Sequence, residues 1–126
     1  MSLMTPLNRV LGLGTAKGAA EHWWLQRVTA IALLPPGLWL AYALLTLPGF
    51  DYASVTAWVQ QPVTSILLIL LVVAISYHSA LGVQVVIEDY VPGNGMKAAT
   101  LVASTLAHVA LGVAAVFAVL KIAFGS

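Results

Sequence analysis

A single histidine interrupts the apolar stretch VVAISYHSALGVQVVIEDYVP, which covers residues 72–92. His78 lies eleven residues before Asp89, which is roughly 16 Å along a helix. If that helix crosses a bilayer, the imidazole lies near the midplane and must face protein, a cavity or a cofactor. Ala74 and Gly82 flank it on the same helical face and leave room for a broad, flat group. This setting favours axial ligation of a haem iron; the alternative is a histidine that hydrogen-bonds between packed helices.

A second histidine has similar surroundings. His108 lies eleven residues after Lys97, and Ser104 and Gly112 flank it at the same four-residue spacing. On an antiparallel neighbouring helix it would reach a similar depth. From the residues alone, both histidines could ligate one haem, or one could ligate while the other packs.

Two acids and a tyrosine close the first stretch. Glu88, Asp89 and Tyr90 follow its last apolar residue. In the headgroup region a phenol can donate a hydrogen bond to a carbonyl, and a carboxylate can orient that phenol or relay a proton. The alternative is an interfacial tyrosine anchor beside charges that end a helix.

One arginine precedes another apolar stretch. Arg27 stands in HWWLQRVTAIAL, at the start of that stretch. Its guanidinium can pair bidentately with a carboxylate, including a haem propionate. It can equally be a positive charge that extends toward the membrane surface.

The composition requires membrane-spanning elements to carry these residues. Of the 126 residues, 61% are hydrophobic and 7% are charged, which is too little charge to cover a soluble domain. Three uncharged stretches, residues 28–47, 63–87 and 98–120, reach the length of about 20 residues that crosses the hydrocarbon. We predict an all-α integral membrane protein whose three transmembrane helices form one anchor domain, residues 28–126, after an N-terminal interfacial segment, residues 1–27. The charged side chains outside the spans are Arg9, Lys17, Glu21, Arg27, Asp51, Glu88, Asp89, Lys97 and Lys121.

Positive charge is distributed unequally between the two sides of the predicted membrane. Lysine and arginine precede the first span and lie between the second and third, whereas the loop of residues 48–62 has neither. The positive-inside rule predicts a cytoplasmic N-terminus and an external C-terminus. Lys121 is the one basic residue that does not fit this orientation. Aromatic side chains suited to the two interfaces are Trp23, Trp24, Phe50, Tyr52 and Trp58.

The sequence contains no cysteine. The chain can therefore supply neither a disulfide nor a thiolate ligand for an iron–sulfur cluster or a zinc ion. Any such redox centre must lie in a partner. The first 27 residues lack the pattern of a cleaved signal peptide, so we expect them in the mature chain.

A proline pair and a glycine-rich stretch are two further local motifs. Pro35 and Pro36 remove two helix donors, which predicts a kink in the first span. The stretch GLGTAKG at residues 12–18 follows no predicted strand and ends in no Lys-Ser/Thr pair, which favours a surface turn over a phosphate-binding loop.

Together these motifs resemble the small membrane-anchor subunits of succinate dehydrogenase, respiratory complex II, of the alphaproteobacterial and mitochondrial type. The resemblance covers nearly the whole chain and depends on HWWLQRVTAIALLPPGLWL, on YHSALGVQVVIEDYV and on three spans in a short chain. The second motif is the more specific one. A histidine followed twelve residues later by the tyrosine of an acidic-Tyr pair is typical of the family, and His78 and Tyr90 keep that spacing.

The resemblance implies roles for individual residues. It implies that His78 is an axial ligand of a b-type haem iron, shared with a second anchor subunit, and that His108 is not a ligand. It implies that Asp89 and Tyr90 belong to the ubiquinone site, with Asp89 also available to a proton relay. Arg27 matches an arginine near the haem propionates, and His22 matches a histidine of that region less closely, because its spacing to Arg27 is one residue shorter than in some relatives.

The resemblance also implies partners and a location. The expected partners are a flavoprotein with FAD, an iron–sulfur subunit, a cytochrome b anchor subunit and membrane lipid, but no nucleic acid. This chain would carry no complete active site. The expected location is the bacterial inner membrane, or the mitochondrial inner membrane if the source is eukaryotic.

The sequence leaves three alternative functions to compare with this one. A quinol:fumarate reductase anchor has the same architecture with the reaction reversed. A small multidrug-type transporter would need an acid within a span, whereas all four acids lie outside the spans. A non-catalytic scaffold subunit would show no haem spectrum.

Overall fold

A computed structural model describes residues 16–125 of the chain. They form four helices: α1 (Ala16–Thr46), α2 (Tyr52–Val59), α3 (Pro62–Tyr90) and α4 (Asn94–Phe124). No strand occurs within that range. Helices α1, α3 and α4 are long and apolar enough to cross a membrane, which confirms the prediction of an all-α protein with three spanning helices.

The long helices extend beyond the predicted apolar stretches. Helix α1 begins at Ala16 and continues through Pro35 and Pro36 without interruption. It therefore joins the end of the predicted interfacial segment directly to the first span. Arg9 and the beginning of GLGTAKG lie outside the described residues.

The short helix α2 lies in the segment that was predicted only as a loop. Asp51 caps it by accepting hydrogen bonds from the Ser54 backbone N–H at 3.0 Å and the Ser54 hydroxyl at 2.6 Å. These bonds, the hydroxyl first, lower the pKa of the Asp51 carboxyl because they stabilise its charged form. Trp58 of α2 stacks on Trp39 of α1, with ring centroids 6.0 Å apart.

Helix α3 lies between the other two spanning helices. It packs against α1 on one side and α4 on the other, whereas no Cα atoms of α1 and α4 approach within 8 Å in the described range. At the contact between α3 and α4, a Cβ added to Gly112 would lie 3.1 Å from Ser76 Oγ. A small residue at such a crossing lets two membrane helices approach closely.

Few side chains are buried within the chain itself. The buried apolar residues are Val59, Leu71, Leu81 and Ile87. Large apolar side chains are instead exposed along all three spans, for example Leu45 at 86% and Leu111 at 71%. Such surfaces are suited to lipid or to other transmembrane helices rather than to water.

Candidate functional site

The seam between α1 and α3 brings a threonine to the predicted haem ligand. The helices run antiparallel here, and Thr29 Oγ1 lies 2.9 Å from His78 Nδ1. Thr29 Oγ1 also lies 2.8 Å from the carbonyl oxygen of Leu25 and 3.2 Å from that of Gln26. His78 is half-buried, so it faces protein on this side, as its depth predicted.

These contacts assign a tautomer to His78. A carbonyl oxygen can only accept, so the Thr29 hydroxyl proton is directed to the Leu25 carbonyl. The hydroxyl oxygen then accepts from the protonated Nδ1 of His78. Nε2 is left with its lone pair, and it makes no hydrogen bond to a described residue. A neutral imidazole whose second nitrogen is held by a protein acceptor is the arrangement that metal-ligating histidines commonly use.

Two more polar side chains lie on the same seam, toward the start of α1. His22 Nε2 and Gln26 Oε1 are buried, and neither has a hydrogen-bond partner among the described residues. Gln26 lies over Gly82 of α3, where an added Cβ would be 3.4 Å from Gln26 Nε2. The small residues beside His78 predict room for a flat cofactor, but in the structure the Gln26 amide occupies the space beside Gly82. Neither Gln26 nor Thr29 was singled out from the sequence.

Arg27 lies beside this seam. Its guanidinium carbon is 4.9 Å from the ring centroid of Trp23, which is a cation–π contact one turn earlier on α1. Trp23 and Trp24 are both more than half exposed. Arg27 thus lies at the aromatic end of α1, close in sequence to His22 and Gln26.

His108 has different surroundings from His78. Its Nδ1 lies 2.8 Å from the Ser104 carbonyl oxygen, which can only accept, so this nitrogen carries the proton. Its Nε2 lies 3.1 Å from the Ser79 hydroxyl of α3, from which it accepts. Both ring nitrogens are therefore paired within the chain, and this histidine joins α4 to α3.

Asp89 and Tyr90 form the last turn of α3. The helix is continuous from His78 to Tyr90, a rise of about 18 Å. Both side chains are exposed, Tyr90 at 81%, and neither hydrogen-bonds to a described residue. The end of α3 is held by Lys97, whose ammonium donates to the Glu88 carbonyl oxygen at 2.6 Å.

A separate groove of about 710 Å³ lies between α3 and α4. Its walls are largely apolar side chains, and among the candidate residues it includes only His108. Since both nitrogens of His108 are paired, the groove offers no free imidazole to a metal. The candidate site is therefore the α1–α3 seam and the end of α3.

Comparison with known families identifies the family of the chain. The family model described as succinate dehydrogenase/fumarate reductase transmembrane subunit matches residues 1–120. The chain belongs to this family. The resemblance inferred from HWWLQRVTAIAL and YHSALGVQVVIEDYV is thereby confirmed.

Curated relatives of the family cover most of the chain. The succinate dehydrogenase hydrophobic membrane anchor subunit of Rickettsia bellii is 38% identical over 84% of this chain and 85% of the relative. The protein of the same description from Paracoccus denitrificans is 29% identical over 100% of this chain and 97% of the relative. The succinate dehydrogenase membrane anchor subunit of Reclinomonas americana is 30% identical over 69% and 75%. No solved structure matches significantly.

Proposed function

We propose that this chain is the membrane anchor of a succinate:ubiquinone oxidoreductase, in which it supplies one axial ligand to a b-type haem and part of the ubiquinone site. Family membership supports the anchor role. The haem and quinone roles depend on the residues described above. The observation that carries the haem role is the contrast between His78, whose Nε2 makes no hydrogen bond in the described part of the chain, and His108, with both nitrogens paired.

His78 is the residue of this chain that would hold the haem iron. Its Nδ1–H donates to Thr29, which fixes the ring and leaves Nε2 as the ligand atom. When bound, the haem supplies a one-electron iron centre. A second axial ligand would come from the partner anchor subunit.

His22 and Arg27 would meet the acidic edge of the same haem. Both lie toward the start of α1, on the side of the membrane where α3 ends. His22 has a buried nitrogen to which no described residue is hydrogen-bonded, and Arg27 carries a permanent positive charge. Such groups stabilise a carboxylate in a medium of low dielectric constant.

Tyr90 and Asp89 would form this chain's share of the ubiquinone site. The Tyr90 hydroxyl has no acceptor within the described residues, and it stands at the surface, where a quinone carbonyl can reach it. A placed donor stabilises the negative charge that develops on that oxygen during reduction. Asp89, exposed beside it, would relay protons from the cytoplasmic side.

The site is completed by other subunits. Succinate oxidation would occur in a flavoprotein with FAD, and electrons would reach the quinone through an iron–sulfur subunit. A second anchor, of cytochrome b type, would cover part of the exposed spans. The family description also names fumarate reductase, so a quinol:fumarate reductase is the second candidate, and a redox titration of the intact complex discriminates the two directions.

Optical spectroscopy of the purified complex tests this proposal. The detergent-purified complex should show b-type bands after dithionite reduction. Replacing His78 with leucine should shift these bands or reduce the haem content, because Nε2 is lost. His108→Leu is the matched control, and we expect it to leave the spectrum nearly intact. Loss of the haem signal in the His108 variant alone would contradict the assignment.

A further inference from the structure

The α1–α3 seam contains a polar pair whose hydrogen bonds are incomplete. His22 and Gln26 are one helical turn apart on α1, and each has a buried side-chain atom that makes no hydrogen bond within residues 16–125. A buried polar atom is unfavourable when it lacks a hydrogen-bond partner. Two such atoms on successive turns of α1 indicate that a group outside the described residues completes them.

The pair continues the polar row that starts at the haem ligand. Thr29 contacts His78, and Gln26, three residues earlier, lies over Gly82. His22 lies another turn toward the cytoplasmic end, about 10 Å along α1 from Thr29. His22 and Gln26 therefore lie on the same helix as Thr29, between the His78 contact and the start of α1.

The chemistry of the pair suits a carboxylate. The oxygen and nitrogen of a glutamine amide are interchangeable by a half-turn of its terminal torsion. With the amide turned, Gln26 presents N–H to the buried side, where His22 Nε2–H is also available as a donor. A carboxylate accepts from both donors, and the adjacent Arg27 supplies positive charge.

We infer that Gln26 is a further cofactor-binding residue, which donates together with His22 to a carboxylate at the edge of the haem. This inference rests on the proposed haem role of His78. It adds a neutral donor, Gln26, to the charged group Arg27 and the imidazole of His22. The competing occupant of the same space is a water molecule, which would satisfy the pair but would not bind the cofactor.

Substitution of Gln26 in the intact complex tests the inference. Gln26→Leu keeps the approximate volume but removes the donor, so transfer of haem to excess apomyoglobin should reveal an affinity at least about tenfold lower. The haem midpoint potential should become more negative, because a less neutralised carboxylate favours ferric iron. Gln26→Glu, measured at pH 8, should be at least as defective, because a carboxylate cannot donate.

Gln84→Leu is the matched control. Gln84 lies in the same half of the membrane, but its amide donates to Glu88 Oε1 at 2.8 Å and it lines the α3–α4 groove. We expect its haem affinity and midpoint potential to equal those of the wild type. Unchanged values in Gln26→Leu, or wild-type values in Gln26→Glu, would overturn the inference and leave water as the occupant. If His78→Leu also left the spectrum unchanged, the proposed haem function itself would fail.

Discussion

The two histidines in the spanning helices differ in what their second nitrogen does. His78 donates through Nδ1 to Thr29 and makes no hydrogen bond through Nε2 to a described residue, whereas both nitrogens of His108 are paired, with Ser104 and Ser79. An imidazole with one free lone pair can bind a metal, and one with both positions paired stabilises helix packing. The residues that flank His78 and His108 in the sequence do not reveal this difference. It becomes visible in the hydrogen bonds that each histidine makes to the neighbouring helix.

The substitution Tyr90→Phe tests whether Tyr90 donates a hydrogen bond to the quinone or serves only as an interfacial anchor. The change keeps the exposed aromatic ring at the end of α3 and removes only the hydroxyl. If the hydroxyl stabilises charge on the quinone oxygen, its loss should cost about 2 to 4 kcal/mol of transition-state stabilisation. Quinone-dependent turnover of the assembled complex, measured with succinate, should therefore fall steeply.

Two controls accompany the Tyr90 variant. Succinate oxidation with a soluble acceptor that takes electrons before the quinone should stay near normal, and so should the haem spectrum, because His78 lies about 18 Å away along the helix. Normal quinone reduction in a fully assembled Tyr90→Phe complex would return Tyr90 to the role of an interfacial anchor.

At the scale of the helices, Gly112 of α4 lies against Ser76 of α3, and we expect this contact to limit how closely the two helices approach. An added Cβ at Gly112 would lie 3.1 Å from Ser76 Oγ but 3.5 Å from Ser76 Cβ. Gly112→Ala should therefore destabilise the complex, and Ser76→Ala should relieve much of that effect. We expect a coupling of about 0.5 to 1 kcal/mol between the two changes, measured from thermal or denaturant unfolding of the purified complex.

Gly37 provides the control for the double-mutant comparison of Gly112→Ala with Ser76→Ala. It lies within α1 with nothing near the position of an added Cβ. Gly37→Ala should be tolerated and should not couple to Ser76→Ala. Strictly additive effects of Gly112→Ala and Ser76→Ala would show that the close approach does not limit packing.

The helices differ in how far their sequences predicted them. The three spans were predicted because long uncharged segments must form helices in hydrocarbon, where each backbone group needs an internal partner. Helix α2 was missed, because its eight residues lie outside the apolar stretches. Asp51 followed by Ser54 was the available signal, since a residue of this type commonly caps a helix.

The site was predicted less completely than the spans. The depth of His78 and the position of Tyr90 follow from counting residues along one helix. The partners Thr29 and Gln26 depend on how α1 is rotated against α3. Apolar side chains surround both helices almost evenly, so no periodic pattern in the sequence indicates which face packs inward.

At the scale of the whole molecule, three spanning helices lie side by side with α3 in the middle, and α1 and α4 do not meet. Such an arrangement leaves large apolar surfaces on both sides. A haem between two anchor subunits would use one of these surfaces, because His78 supplies a single ligand nitrogen. The geometry thus agrees with a chain that functions only within a complex.

The orientation of this arrangement decides where the proposed quinone site faces. The antiparallel spans place Arg27, Tyr90 and Lys97 at one end and Asp51 and Lys121 at the other. The positive-inside rule predicts that the first end lies in the cytoplasm. A phosphatase reporter that is active only outside the cytoplasm should therefore be active when fused after Ser126. The same reporter inserted after Gly93, between α3 and α4, should be inactive. Activity in the opposite pattern would move Tyr90 to the external side, away from a cytoplasmic iron–sulfur partner and from the protons that quinone reduction consumes.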